Sequence, residues 1–164
     1  MLFRSATWKF IEENLSASRP VVLMCVTQSS GSSPGRAGFK MAVSGVDMSG
    51  SIGGGIMEHK FVELAREKLK DDKCYPFLKK QYHQKSAARD QSGMICSGEQ
   101  TVLLFPLGIK NLPVVRQLIG ALEKHRSGTL KIKSNQLNFI TDIPEHEFAF
   151  EMIAEMKYTN LFIN

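Results

Sequence analysis

Hydrophobic positions follow distinct rhythms along this chain. Trp8, Ile11 and Leu15 recur at three- and four-residue spacing, with Glu12, Glu13 and Asn14 largely opposite, which predicts a helix over 5–18. Ser5 is placed to cap it, and Pro20 disfavours helical geometry at Arg19 and so stops it. The same rhythm, carried by Met57, Phe61, Leu64, Ala65 and Leu69, predicts a helix over 56–70. Val115, Leu118, Ile119 and Leu122 predict another over 112–125. Val21–Thr27 and Thr101–Leu107 are instead continuous apolar runs, the pattern of strands buried on both faces beneath helices. Shorter strands are expected at 39–44, 48–52 and 75–81, the last pushed to a sheet edge by Pro76. Leu130 and Ile132, then Leu137 and Phe139, alternate on either side of Ser134-Asn135 and predict a hairpin. Phe148, Phe150 and Met152 have the period of a strand, although Phe148, Met152 and Met156 also suit a helix, and 160–164 reads as a final strand. The fold class is therefore α/β: a mixed β-sheet covered by helices, with a C-terminal β-hairpin region.

Composition narrows the function classes. The 164 residues are 43% hydrophobic and 23% charged, enough for one domain with a real core. No apolar run approaches a membrane span, and the N-terminus lacks the long apolar region of a signal peptide, so cytoplasm is the expected location. Cys25, Cys74 and Cys96 are too scattered for a zinc pattern or a disulfide framework, which fits reduced thiols. A net charge of +5 admits an anionic ligand or partner. The basic clusters at 66–73 and 79–89 contain no recognised nucleic-acid motif and are interrupted by Asp71, Asp72 and Asp90, so they read as solvated faces.

Candidate chemistry sits in three glycine-rich stretches. Gly53-Gly54-Gly55 follow a short strand and precede a helix. A helix N-terminus of this kind aims backbone N–H groups at an anion, and Glu58 in its first turn suits the positive end of the dipole or caps it. The other reading is a tight strand-to-helix connection without ligand. Gln28–Gly38 is a loop of serines, glycines and Arg36 directly after a buried strand, where α/β folds place ligands. Its hydroxyls, amides and guanidinium suit an oxyanion, although it is no Walker A loop. Cys96 lies among Gly93, Ser97 and Gly98, either an exposed and activated thiol or an inert one at a strand start. Cys25, mid-strand, reads as a small core hydrophobe. The four histidines are scattered and read as surface residues.

Three segments, GSSPGRAGFKM (Gly31–Met41), GSIGGGIME (Gly50–Glu58) and GMICSGE (Gly93–Glu99), together resemble the XdhC/CoxI family in order and spacing. The resemblance covers roughly residues 10–107 well. It implies a protein that binds the molybdenum cofactor, shields it, supports its sulfuration and hands it to an apo molybdenum hydroxylase such as xanthine dehydrogenase. On that likeness Cys96 ligates or sits against the molybdenum. Gly53, Gly54, Gly55 and Glu58 form the glycine-helix part of the site, and Gly31, Ser32, Pro34 and Gly38 the serine-proline part. Many members carry arginine directly after the proline; here Gly35 stands there and Arg36 follows, so Arg36 joins the candidate set one place later. Ser97 replaces a usual glycine.

The cofactor's chemistry matches the residue types: an amide cradle for its phosphate, a serine loop for the pterin edges and a thiolate for the metal. The implied partners are the apo-hydroxylase and a cysteine desulfurase, with a homodimer as the assembly and neither nucleic acid nor membrane involved. Residues 1–158 form the family-like domain, and 159–164 resemble the first strand of a Rossmann-type domain found in longer members. The role expected is a non-catalytic maturation factor. The alternatives are a small phosphate-ligand enzyme with a cysteine nucleophile and a dimerisation module without ligand.

Overall fold

The apolar run after Pro20 forms strand β1 (Val21–Gly31), and its side chains divide between two cores. The computed structural model describes residues 2–71, 74–82, 98–126, 128–133, 136–141, 150–152 and 159–163. Val21, Leu23 and Cys25 face one side of the sheet, and Val22, Met24 and Val26 the other; all six are buried. Strand alternation thus explains the unbroken hydrophobic run, because both faces are covered.

Helix α1 (Leu2–Ser16) precedes β1, and a hairpin of β2 (Lys40–Val43) and β3 (Met48–Gly50) follows it. Next come α2 (Gly55–Leu69), β4 (Phe77–Tyr82) and β5 (Gly98–Leu107), then a single 3-10 turn at Ile109–Asn111 leading into α3 (Leu112–Glu123). The main sheet has the order β3-β2-β1-β5-β4, with β4 at its edge as expected and Pro76 just before the strand begins. A second sheet, β7-β6-β9-β8, is built from β6 (Gly128–Lys133), β7 (Gln136–Ile140), β8 (Phe150–Met152) and β9 (Thr159–Ile163). The expected C-terminal hairpin is the β6–β7 pair, and β9 pairs with β6. The α/β class with helices over the sheet holds, while every pairing among the described strands is antiparallel. Burial on both faces, not strand direction, produces the continuous apolar runs.

One core joins Trp8, Ile11 and Leu15 of α1 to Val115 and Leu118 of α3 and to Leu130 and Phe139 of the hairpin. Phe61, Val62 and Ala65 of α2 cover the opposite face. α1 begins three residues earlier than expected, so Ser5 lies inside it and not at its cap. No glycine or proline precedes Ser5 to stop the helix from extending backward. Its other end stops before Pro20 as predicted, where the Asn14 carbonyl accepts from the Arg19 amide at 2.9 Å and Asn14 Oδ1 from Arg19 Nε at 2.9 Å. β1 and β5 both run further into polar sequence than their apolar runs suggested. They pair as far as Gly31 and Gly98, past a bulge between Val26 and Gln28. These polar extensions carry the site.

Candidate functional site

From Gly53 to Gly55 the backbone stays at positive φ, at 130°, 76° and 74°. Only glycine adopts such a run at little cost, so this turn from β3 into α2 depends on all three. Gly54 is the N-cap of α2 and has no side chain to satisfy the amides. Glu58, in the first helical turn, reaches back to the N-cap amide and to the strand before it. Its Oε2 accepts from Ser51 Oγ at 2.6 Å, from the Ile52 amide at 2.9 Å and from the Gly54 amide at 2.9 Å. The Gly53 amide donates to Ser51 Oγ at 3.2 Å. The turn therefore does gather donors around an anion, but the anion is the chain's own carboxylate. Glu58 thus caps the helix start, as its place in the first turn suggested, and the Ile52, Gly53 and Gly54 amides are taken within the chain.

The serine loop folds onto that turn. A Cβ built on Gly53 would lie 2.6 Å from the Gly35 nitrogen, and one on Gly35 would collide with the Ile52 carbonyl and the Gln100 side chain. A Cβ on Gly98 would lie 2.5 Å from the Ser33 nitrogen and 2.9 Å from the Ser30 carbonyl oxygen. The loop after β1 thus meets both the turn before α2 and the start of β5 backbone to backbone.

Gln100 is the peg that holds them. Its Oε1 accepts from Ser33 Oγ at 2.8 Å and from the Gly35 amide at 3.1 Å. Its Nε2 donates to the Ile52 carbonyl at 3.3 Å and to Gln81 Oε1 at 2.9 Å. Ser33, Gln81 and Gln100 are all buried. Gln81 Nε2 is buried as well and has no hydrogen-bond partner among the described residues, an uncommon state for an amide donor. Sequence reasoning missed both glutamines, although the signal was present. Gln100 continues the inward positions of Val102 and Leu104, and Gln81 is its registered partner on β4.

Not every candidate residue reaches this junction. Gly31 pairs with Gly98, while Ser32 and Arg36 are exposed on the loop. Arg36 turns back to the Gly31 carbonyl at 3.3 Å. Pro34 and Gly38 are half-buried; the Gly38 amide donates to the Val26 carbonyl at 2.9 Å in the approach to β2. Cys96 lies outside the described residues, two places before Gly98 in the chain. Cys25 is the core hydrophobe expected, its thiol pushed up to about 12 by burial, with Lys40 pulling weakly the other way. Burial also raises the half-buried Cys74, against the nearby Lys68. Among the described residues no three His, Cys, Asp or Glu side chains group as a metal site. A cavity of about 800 Å³ lies away from the junction, along the flank of α2.

The comparisons with known proteins can now be set beside this geometry. The stretch 15–75 matches the XdhC and CoxI family. The matched stretch contains the serine loop and the glycine turn, which the structure packs together. A crystal structure of a xanthine dehydrogenase from Bacillus halodurans has the same fold at a TM-score of 0.64 and 20% identity. The match covers 83% of this chain and 43% of that one, so the chain spans less than half of that protein's length. No curated protein matches the chain. No helix among the described residues is long and apolar enough to cross a membrane.

Proposed function

We propose that this chain is an XdhC-type carrier of the molybdenum cofactor, which it protects and passes to an apo molybdenum hydroxylase such as xanthine dehydrogenase. The observation that carries the reading is the backbone-on-backbone junction of the serine loop and the glycine turn around Gln100. It lies at the end of the sheet where β5 begins, two residues after Cys96 in the chain, a reach of at most ~7–8 Å between Cα atoms. A soft thiolate suits the molybdenum end of the cofactor, as the family likeness of Cys96 implies.

The residues present fit the cofactor in part. Ser29, Ser32 and Arg36 on the loop offer hydroxyls and a guanidinium to the pterin edges and the phosphate. The buried Gln81 donor without a partner is a group that a polar ligand or a water could satisfy. Part of the amide cradle is closed to the phosphate, because Glu58 takes the Ile52 and Gly54 amides. The phosphate is therefore assigned to Arg36 and the loop hydroxyls.

The test is anaerobic incubation of the whole chain with molybdenum cofactor, followed by gel filtration and assay of molybdenum and pterin in the protein peak. Co-elution is expected. Cys96→Ser should lose most of the bound metal and Cys25→Ser little of it. Absence of metal and pterin from the peak would overturn the carrier reading, and equal losses from the two cysteine variants would overturn the assignment of Cys96.

A further inference from the structure

A second surface lies away from the junction. Along the flank of α2, between that helix, the Ser44–Val46 turn of the β2–β3 hairpin and Arg19-Pro20, runs a groove of about 800 Å³. Arg19, Lys60, Arg66 and Lys70 line it against only two carboxylates, Glu63 and Glu67. Between the charges lie Pro20, Val46 and Leu64, and Val46 at the lip is 83% exposed. Arg66 fastens the hairpin turn to the helix with long contacts: Nη2 to the Val46 carbonyl at 3.4 Å and Nη1 to Glu63 at 3.5 Å. Its Nε is buried and has no partner among the described residues, so it is Nη1 and Nη2 that face the groove's lining.

From this groove we infer a docking site for an acidic, amphipathic segment of a partner polypeptide. Lys60 on α2 and Lys70 at its C-cap are ten residues apart, which at the helical rise is ~15 Å. One phosphate or carboxylate cannot meet cations spread over that length, whereas a short run of chain can. Glu63 and Glu67 interrupt the cations, which suits carboxylates spaced by apolar residues better than the unbroken charge of a phosphate backbone. A polypeptide alternating acidic and apolar residues places carboxylates on the cations and side chains on Val46 and Leu64, the helix-flank mode of peptide recognition. The inference does not depend on the cofactor reading.

Titration of the whole chain with a peptide alternating Glu and Leu, followed by amide NMR shifts, tests it. Shifts are expected at 44–46 and 59–70, weakening as salt is added. Lys60→Glu with Lys70→Glu should weaken binding by about tenfold or more, as expected when charges across an interface are reversed. Val46→Asp, at a position too exposed to matter for folding, should weaken it too, and Lys110→Glu, outside the groove, should leave it unchanged. A Lys/Leu peptide that binds as well, shifts confined to other surfaces, or inorganic phosphate that reproduces the same shifts would each overturn the proposal.

Discussion

β1 and β5 run side by side through two different environments. In one half, Val21–Val26 lies against Val102–Leu107, and almost every side chain is buried in one of two apolar cores. In the other half, Gln28–Gly31 lies against Gly98–Thr101, where glycines let backbones touch and one glutamine joins three segments. The apolar half is held by burial, which is non-directional and scales with area. The polar half is held by specific donors and acceptors at fixed positions, and it fails abruptly when one is removed. The first tolerates exchange of one hydrophobe for another; the second does not.

Gly53→Ala should break that contrast hardest. It combines a φ of 130° with a Cβ 2.6 Å from the Gly35 nitrogen. Strain and overpacking together should cost about 4 kcal/mol in denaturant unfolding. Gly54→Ala separates the two effects. Its φ is 76° but its Cβ meets open space, so only about 1–2 kcal/mol is expected.

Volume-conserving swaps sharpen the comparison next. Gln100→Met keeps the bulk but strips partners from Ser33, Gly35, Ile52 and Gln81, and should cost about 2–4 kcal/mol. Leu104→Met, four residues along the same face, should cost less than about 1.5 kcal/mol. Equal costs would mean that the polar half is held by packing as well. Glu58→Gln removes the charge from a carboxylate that accepts three donors and should cost about 1 kcal/mol, read as a lower thermal midpoint.

The smallest effect at neutral pH belongs to Cys25. Its folded-state value lies above the ordinary 9.0, so both states are protonated below pH 9 and the thiol adds no pH dependence there. From pH 9 towards about 12 the unfolded chain loses its proton while the folded one keeps it, so stability falls with rising pH. Cys25→Ala should flatten that decline, and the native thiol should resist alkylation until the protein unfolds.

The apolar half was legible from the sequence because its signal is periodic. Val21–Thr27 named a doubly buried strand, Pro76 an edge, and the α2 face a cover for one side of the sheet. The polar half was legible only as composition. Serines and glycines announced two loops, but not that Gly35 would touch Gly53, since a close backbone approach leaves no side-chain pattern. Gln81 and Gln100 were passed over, because only pairing across β4 and β5 shows that they meet. Glu58 was recognised as suited to the helix start, yet its part in filling the cradle depends on how far the side chain turns back. Cys96, the residue on which the cofactor chemistry rests, lies outside the described residues.

Hydrogen–deuterium exchange of the whole chain, with and without molybdenum cofactor, tests the central claim most directly. If the serine loop and glycine turn form the carrier's site, amide exchange should slow across Ser30–Ala37 and around Gly53–Gly55. The α2 flank that lines the groove should be unaffected. Unchanged exchange at the junction with cofactor demonstrably bound, or slowing confined to the groove, would contradict the account.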